Sequence, residues 1–217
     1  MIRLLVFDLD GTLIDSRRDL ADAANALIVE RGGTPLPVDA VASMVGEGAA
    51  LLVRRALKTA GTDLQIDRDL PRFLELYDER LLAHTRLYDG TREMLEAVHA
   101  RATLAILTNK PQRPTERILE GLGIAGFFGQ VIGGDTAHGR KPDPAGLCHL
   151  MSVTGAMTDD TIMIGDSAID LRTAGAAGVR CCLVRYGFGF PTAERELSGD
   201  ELIADTASEL AAIATSR

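Results

Sequence analysis

Short runs of consecutive apolar residues recur along the chain, and most of them stop at a polar residue. Because the apolar residues in each run are continuous rather than alternating, they predict strands of a parallel sheet that is covered on both faces. Three runs have a strong pattern, at residues 2–7, 103–107 and 161–164, and two have a weaker one, at residues 130–132 and 181–184.

Segments with helical periodicity lie between these runs. Their apolar residues recur every three to four positions, as on one face of a helix. The predicted helices cover residues 91–100, 115–122, 144–153 and 168–176. A strand followed by a helix, repeated along the chain, predicts an α/β fold with a doubly wound parallel sheet.

The stretch from residue 16 to residue 86 has a different pattern. Three amphipathic helices are indicated by apolar residues around positions 20–28, 51–57 and 70–81, with no convincing strand between them. The simplest interpretation is a helical module inserted after the first strand. We therefore predict an α/β core formed by residues 1–15 and 87–217, and a helical module formed by residues 16–86.

Composition and charge narrow the class of protein. The 217 residues are 46% hydrophobic and 25% charged, which is typical of a globular protein with a sizeable core. The net charge of -8 argues against nucleic acid or an anionic membrane as the main partner. No apolar run approaches the roughly 18 residues that span a bilayer. The sequence does not decide between a monomer and a homodimer.

The three cysteines are Cys148, Cys181 and Cys182, and no CxxC motif occurs. An odd number of cysteines without such spacing predicts neither a disulfide framework nor a zinc site. This usage favours a reducing environment, so we expect a cytoplasmic protein.

Polar residues follow several predicted strands directly. In an open parallel sheet, ligands bind beyond the carboxyl ends of the strands, so these residues converge if the strands are neighbours. We add Lys141, which lies just before a predicted helix. The candidate site residues are Asp8, Asp10, Thr108, Asn109, Lys141, Asp166 and Asp170.

Several carboxylates in a small volume raise one another's pKa values unless a cation compensates them. Magnesium prefers oxygen ligands and is commonly bound by carboxylates together with a substrate phosphate. Lys141 and the Thr108 hydroxyl would add a positive charge and a donor, which makes a phosphate the expected ligand. Asp8 and Asp10 are two residues apart, so one could attack phosphorus while the other transfers a proton.

Four segments resemble the motifs of the haloacid dehalogenase-like superfamily in its phosphatase form, and they occur in the expected order. They are DLDGTLIDS at residues 8–16, LTNK at 107–110, KPDP at 141–144, and IGDS at 164–167 followed by Asp170. The resemblance therefore extends over nearly the whole chain. It implies that residues 16–86 form the family's mobile cap, which closes over the substrate and selects it.

The resemblance also implies a role for each site residue. Asp8 would be the nucleophile that forms an aspartyl-phosphate, and Asp10 the general acid and later the base. The phosphate-binding residues would be Thr108, Asn109 and Lys141. The Mg²⁺ ligands would be Asp8, the Asp10 backbone carbonyl and Asp166, with Asp170 supporting them.

Within the superfamily, residues 45–48 and 52–57 resemble the phosphoglycolate phosphatase subfamily, whereas residues 137–140 depart from it. We therefore expect a Mg²⁺-dependent phosphatase for a small phosphate monoester, with 2-phosphoglycolate as the first candidate. A phosphatase for another small metabolite remains an alternative.

Two further alternatives belong to other functional classes. A sugar-phosphate mutase of the β-phosphoglucomutase type would use the same core, although Ser16 and residues 45–48 fit the phosphatase better. A phosphometabolite-binding protein without catalysis would keep the fold. Dehalogenase and phosphonatase activities are disfavoured, because those branches lack an acid at the position of Asp10. A turn at Asp10 and Gly11 would also explain that dipeptide, and it is compatible with the motif.

Overall fold

The computed structural model describes residues 2–215. The strands are β1 (Leu4–Phe7), β2 (Ile14–Asp15), β3 (Arg86–Leu87), β4 (Thr103–Leu107), β5 (Phe128–Ile132), β6 (Thr161–Gly165), β7 (Arg180–Val184) and β8 (Leu202–Ala204). The helices are α1 (Arg17–Glu30), α2 (Val38–Ala42), α3 (Ala49–Thr59), α4 (Ile66–Asp78), α5 (Thr91–His99), α6 (Gln112–Gly121), α7 (Ala145–Thr154), α8 (Ala168–Ala177), α9 (Phe190–Ala193) and α10 (Ala207–Thr215). None of the helices in this range is both long and apolar enough to cross a membrane.

Six strands form one parallel sheet in the order β5-β4-β1-β6-β7-β8. Strands β4 and β5 lie on one side of β1, and the later strands β6, β7 and β8 lie on its other side. The order of the strands therefore reverses at β1, which is the kind of position where α/β sheets bind ligands. The predicted doubly wound α/β fold is confirmed.

The central strands are apolar on both faces because helices cover both sides of the sheet. Leu5 and Phe7 of β1 pack in a cluster with buried residues of α5, α6 and α10. Leu4 and Val6 point to the opposite face, where α7 and α8 complete a second cluster. All four side chains are fully buried, and each such burial contributes about 1.5–3 kcal/mol. This two-sided burial explains the continuous apolar runs.

Some element bounds differ from the prediction for physical reasons. Helix α6 begins at Gln112 rather than at residue 115, because Pro114 lies in its first turn, where a missing N–H breaks no helical bond. Strand β8 was not predicted, since it is three residues long and lies at the sheet edge with two of its residues only half-buried. The five-residue helix α2 was missed because it is too short to show a period.

Helices α1 to α4 pack around a hydrophobic cluster of their own, which includes Leu27, Leu57 and Phe73. The chain leaves the α/β part through β2 and returns through β3, and these two short strands pair antiparallel, with Ile14 opposite Leu87. We propose that this ribbon is the boundary between the core and the cap, at the predicted residues 16 and 86.

The first cap helix is tied to the end of the cap by a buried carboxylate, Asp19. Its Oδ1 accepts a hydrogen bond from the His84 backbone N–H at 2.9 Å. Its Oδ2 accepts bonds from the Thr85 backbone N–H at 2.9 Å and from Thr85 Oγ1 at 2.7 Å. Asp19 therefore fixes the start of α1 against the segment that leads into β3.

Candidate active site

Site residues directly follow three adjacent strands at one end of the sheet. Asp8 follows β1, Thr108 follows β4 and Asp166 follows β6. The Asp8 backbone N–H still donates to the Ile164 carbonyl at 2.8 Å. This candidate nucleophile therefore lies directly at the end of the pairing between β1 and β6. The structure therefore brings the predicted strand-end residues together, as neighbouring parallel strands require.

A tight turn after β1 separates the directions of Asp8 and Asp10. The Leu9 carbonyl accepts the Leu13 N–H at 3.0 Å, and the Gly11 N–H donates to the Ile14 carbonyl at 2.9 Å. Gly11 has a φ of 86°, and a Cβ atom there would lie 2.0 Å from Asp166 Oδ2. Glycine is thus required both by the backbone conformation and by the close approach of Asp166.

Three buried carboxylates form a cluster beneath this turn. Asp8, Asp166 and Asp170 each place one oxygen so that the three atoms lie within 4.8 Å of one another. Lys141 reaches into the cluster, with its Nζ 2.9 Å from Asp8 Oδ1 and 2.6 Å from Asp170 Oδ1. The four side chains together carry two negative charges in excess when all are ionised.

This excess charge perturbs the pKa values. Burial raises the pKa of Asp8 to about 6, the Asp170 charge adds to the shift, and Lys141 opposes it. Burial, with Asp170 and Asp8, also raises the pKa of Asp166 well above its ordinary value. Burial by itself would lower the pKa of Lys141, but Asp170 and Asp8 outweigh burial and raise that pKa. The ammonium therefore stays charged.

The cluster fits a hard divalent cation. Its donors are carboxylate oxygens, which such cations prefer. Asp8 Oδ1 is buried and makes no well-aligned hydrogen bond within residues 2–215, although Lys141 Nζ lies 2.9 Å away. A dication would neutralise the two excess negative charges.

Neighbouring backbone N–H groups and one side-chain hydroxyl hold two of these carboxylates in place. Asp170 Oδ2 accepts the Ser167 backbone N–H at 3.1 Å and the Ser167 hydroxyl at 2.7 Å. Asp166 Oδ2 accepts the Gly189 backbone N–H at 2.7 Å. The oxygens that point into the cluster are therefore fixed by local structure at the start of α8 and in the loop after β7.

Asp10 lies in a separate polar environment. The Ser16 hydroxyl is 2.5 Å from Asp10 Oδ1. Lys110 Nζ donates to Asp10 Oδ1 at 3.0 Å and to Asp10 Oδ2 at 2.9 Å. The Asp10 oxygens are thus held by Ser16 and Lys110 and do not belong to the carboxylate cluster, so the Asp10 backbone carbonyl is its candidate metal ligand.

Thr108 and Asn109 both lie at the end of β4, but they have different surroundings. Thr108 Oγ1 accepts the Lys110 backbone N–H at 3.2 Å. Asn109 Nδ2 donates to the Gly46 carbonyl of the cap and to the Lys141 carbonyl of the core, each at 2.9 Å. The Asn109 side-chain N–H groups therefore fasten the cap to the core, so a direct contact of this side chain with phosphate stays a prediction.

A cavity of about 40 Å³ lies between the cap and the strand ends. That volume holds roughly three waters, so the cap lies close over the site. Asp8, Asp10 and Thr108 line the core side of the cavity. The cap side is mostly apolar, with Leu20, Val45, Leu52, Phe73 and Tyr77 among its residues.

Two residues of the cavity received no role in the sequence analysis. Lys110 belongs to the second motif, and only its position directly after Thr108 and Asn109 could have pointed to it. It is 6% exposed, and its Nζ lies 4.7 Å from the centre of the Tyr77 ring. Tyr77 lies on the buried face of α4, where its periodicity indicates only packing. Their contact depends on the tertiary fold.

Comparisons with known proteins agree with this geometry. The sequence model of the family described as haloacid dehalogenase-like hydrolase matches residues 5–184. A phosphoglycolate phosphatase of Rhodospirillum rubrum is 43% identical over 196 residues, which are 87% of this chain and 81% of that protein. A phosphoglycolate phosphatase of Pseudomonas fluorescens is 39% identical over 202 residues, 88% of this chain and 73% of that protein.

Solved structures give the same result. A crystal structure from Haemophilus somnus, described as a predicted phosphoglycolate phosphatase, superposes with a TM-score of 0.90 at 31% identity. The superposition covers 98% of this chain and 97% of that one, so cap and core are both included. The family match spans most of the sequence, and the resemblance found in the four motifs is confirmed. The chain belongs to the haloacid dehalogenase-like hydrolase family.

Proposed function

We propose that this protein is a Mg²⁺-dependent phosphatase that hydrolyses a small phosphate monoester, with 2-phosphoglycolate as the first candidate. The observation that carries the proposal is the placement of Asp8. Its carboxylate lies beside the Lys141 ammonium, belongs to a buried carboxylate cluster and lines the cavity under the cap. A nucleophile at the cavity, with a cation and a metal site beside it, provides the parts that phosphoryl transfer requires.

In this proposal the reaction has two steps. An Asp8 oxygen attacks phosphorus, the bond between phosphorus and the ester oxygen breaks, and Asp10 gives its proton to the leaving oxygen. Asp10 then takes a proton from water as the water oxygen attacks phosphorus, which releases phosphate and restores Asp8. The separate environments of the two carboxylates support these different roles, because Asp10 is held by Ser16 and Lys110 outside the cluster.

Mg²⁺ would be held by Asp8, the Asp10 backbone carbonyl and Asp166, with Asp170 supporting the site. When bound, it neutralises negative charge on the carboxylates and on the transferring phosphoryl group. Lys141 would bind a phosphoryl oxygen with its ammonium, and Thr108 with its hydroxyl. Asn109 would position this set by holding the Lys141 carbonyl. Closure of the apolar cap excludes water and strengthens these electrostatic interactions.

The substrate proposal rests on the relatives. Curated relatives that are 39–43% identical are named phosphoglycolate phosphatase. We also propose that the protein acts in the cytoplasm, where small phosphorylated metabolites occur.

The proposal is tested by phosphate release from a panel of small phosphate esters with and without Mg²⁺. We expect release that depends on Mg²⁺, with the highest kcat/KM for 2-phosphoglycolate. A hexose 1-phosphate is included, and its products are analysed to detect the isomer that a mutase would form. The absence of phosphate release from every ester would contradict the proposal, and a preferred ester other than 2-phosphoglycolate would change only the substrate.

A further inference from the structure

We propose that Lys110 and Tyr77 form a subsite that recognises a second anionic group on the substrate, a carboxylate one methylene group away from the ester oxygen. This inference rests on the proposed phosphatase function and assigns its specificity to two residues, one from the core and one from the cap. It concerns the part of the substrate that leaves, whereas Lys141 and Thr108 face the phosphoryl group.

Lys110 is the cation available for such a role. Among the described residues that line the cavity, it is the one with a cationic side chain. Lys141 reaches the carboxylate cluster instead, where it pairs with Asp8 and Asp170. Arg55 of the cap pairs with Glu47, and Arg54 is exposed, so neither arginine faces the cavity.

Tyr77 supplies a second, independent indication of a ligand. It is 2% exposed and lines the cavity. Its phenolic oxygen is buried and has no well-aligned hydrogen-bond partner among residues 2–215. The Lys110 ammonium interacts with this oxygen but can only donate, so the phenolic proton has no acceptor there. Burial raises the pKa of Tyr77 to about 12, so the phenol keeps its proton and can donate it to an acceptor. Because an unpartnered buried hydroxyl costs free energy, a ligand that accepts this bond is favoured.

The position of Lys110 relative to Asp10 determines which carboxylate it can reach. Its Nζ lies 2.9–3.0 Å from both Asp10 oxygens. An ester oxygen that takes a proton from Asp10 lies about 2.7 Å from one of these oxygens. A carboxylate one methylene group beyond that ester oxygen is therefore within reach of the Lys110 ammonium.

Binding of such a substrate adds a second ion pair to the one between Lys110 and Asp10. With a carboxylate in the subsite, Lys110 donates to the substrate as well as to Asp10, and the Tyr77 hydroxyl gains an acceptor. A substrate with a neutral leaving group leaves Lys110 paired with Asp10 alone and the Tyr77 hydroxyl without a partner. The subsite thus favours anionic leaving groups, because an ammonium and a buried hydroxyl both lose an acceptor when the carboxylate is missing.

The test compares 2-phosphoglycolate with 2-hydroxyethyl phosphate, which replaces the carboxylate by a neutral hydroxymethyl group of similar size. We expect Lys110→Met to lower kcat/KM for 2-phosphoglycolate by about 100-fold, and Tyr77→Phe by about tenfold, mainly through KM. For 2-hydroxyethyl phosphate, the loss in Tyr77→Phe is expected to stay below about fivefold. Lys110→Met also removes a contact of Asp10, so it should lower this activity too, but by at least about tenfold less than the activity on 2-phosphoglycolate. Lys110→Arg should restore part of the preference, because it keeps the charge.

Lys58→Met is the matched control, since Lys58 is an exposed cap lysine outside the cavity. Its kinetics should equal those of the wild type on both substrates. Equal losses on both substrates in Lys110→Met and Tyr77→Phe would overturn the subsite and leave Lys110 as a residue that acts through Asp10. If Lys110→Met does not fold, the losses of Tyr77→Phe on the two substrates test the subsite instead, because that change removes only one oxygen atom. A wild type without activity on any ester would instead contradict the phosphatase itself.

Discussion

In the buried part of the site, one ammonium, that of Lys141, lies in a cluster of three carboxylates, those of Asp8, Asp166 and Asp170. The excess negative charge makes the stability of the fold depend on pH. The pKa of Asp8 in the folded protein, about 6, lies above its ordinary value of 3.8. Between these two values the folded state binds a proton that the unfolded state has released. The free energy of unfolding of the metal-free protein should therefore decrease as the pH rises from about 4 to 6.

Magnesium should reverse this destabilisation, because a metal binds the deprotonated carboxylates and displaces their protons. We expect saturating Mg²⁺ to raise Tm more at about pH 7.5 than at about pH 5, as thermal unfolding would measure. Asp166→Asn should reduce the shift, whereas Asp159→Asn, which changes an exposed residue away from the site, should keep it. A Tm shift that is equal at both pH values would contradict the assignment of the cluster as the metal site.

Among the elements, the entry helix α1 depends on the bonds that Asp19 accepts from His84 and Thr85. Replacing Asp19 by alanine leaves the two buried donors of Thr85 and the partly buried His84 N–H without this partner. We expect Asp19→Ala to lower the free energy of unfolding by about 2–4 kcal/mol, measured by urea denaturation. Asp22→Ala on the same helix removes only the ion pair with exposed Arg18 and should cost less than about 1 kcal/mol. Similar losses in the two variants would show that Asp19 does not fasten the cap.

The elements that could be predicted from the sequence are those with a repeated pattern. Strands β1, β4 and β6 lie between helices on both faces, so their apolar residues are continuous and their ends are marked by Asp8, Thr108 and Asp166. Strands β2 and β3 are two residues long, and their pairing depends on a contact between distant parts of the chain. A local pattern cannot indicate such a pairing.

The residues of the site could likewise be predicted only in part. The residues that follow central strands were found, because the topology of a parallel sheet places strand ends together. Lys110 and Tyr77 were not found, since their contact joins the end of β4 to a cap helix. The role of Asn109 as a tie between the cap and the core likewise depends on where residue 46 lies after folding.

At the scale of the whole molecule, the cap must open to admit a substrate, because the cavity beneath it holds only about 40 Å³. The Asn109 amide is one of the groups that hold it closed, through the Gly46 carbonyl at 2.9 Å. We expect Asn109→Ala to accelerate amide hydrogen exchange in residues 45–48 by about fivefold or more, as the loss of a hydrogen bond predicts. The variant should also raise KM more than it lowers kcat.

Asn25→Ala is the matched control, because the Asn25 side chain also makes two hydrogen bonds, both inside the cap: its Nδ2 donates to the Leu36 carbonyl and its Oδ1 accepts the Leu36 N–H. It should change exchange near residue 36 and leave residues 45–48 as in the wild type. Unchanged exchange at residues 45–48 in Asn109→Ala would mean that other contacts keep the cap closed.

The account depends most on Asp8 as the nucleophile of a Mg²⁺-dependent phosphatase. The most direct test measures phosphate release from 2-phosphoglycolate, with saturating Mg²⁺, by the wild type and by Asp8→Asn. The account predicts rapid release by the wild type and a loss of at least about 1,000-fold in the variant, because no aspartyl-phosphate can form. If Asp8→Asn folds like the wild type and releases phosphate at a comparable rate, the proposed mechanism is wrong.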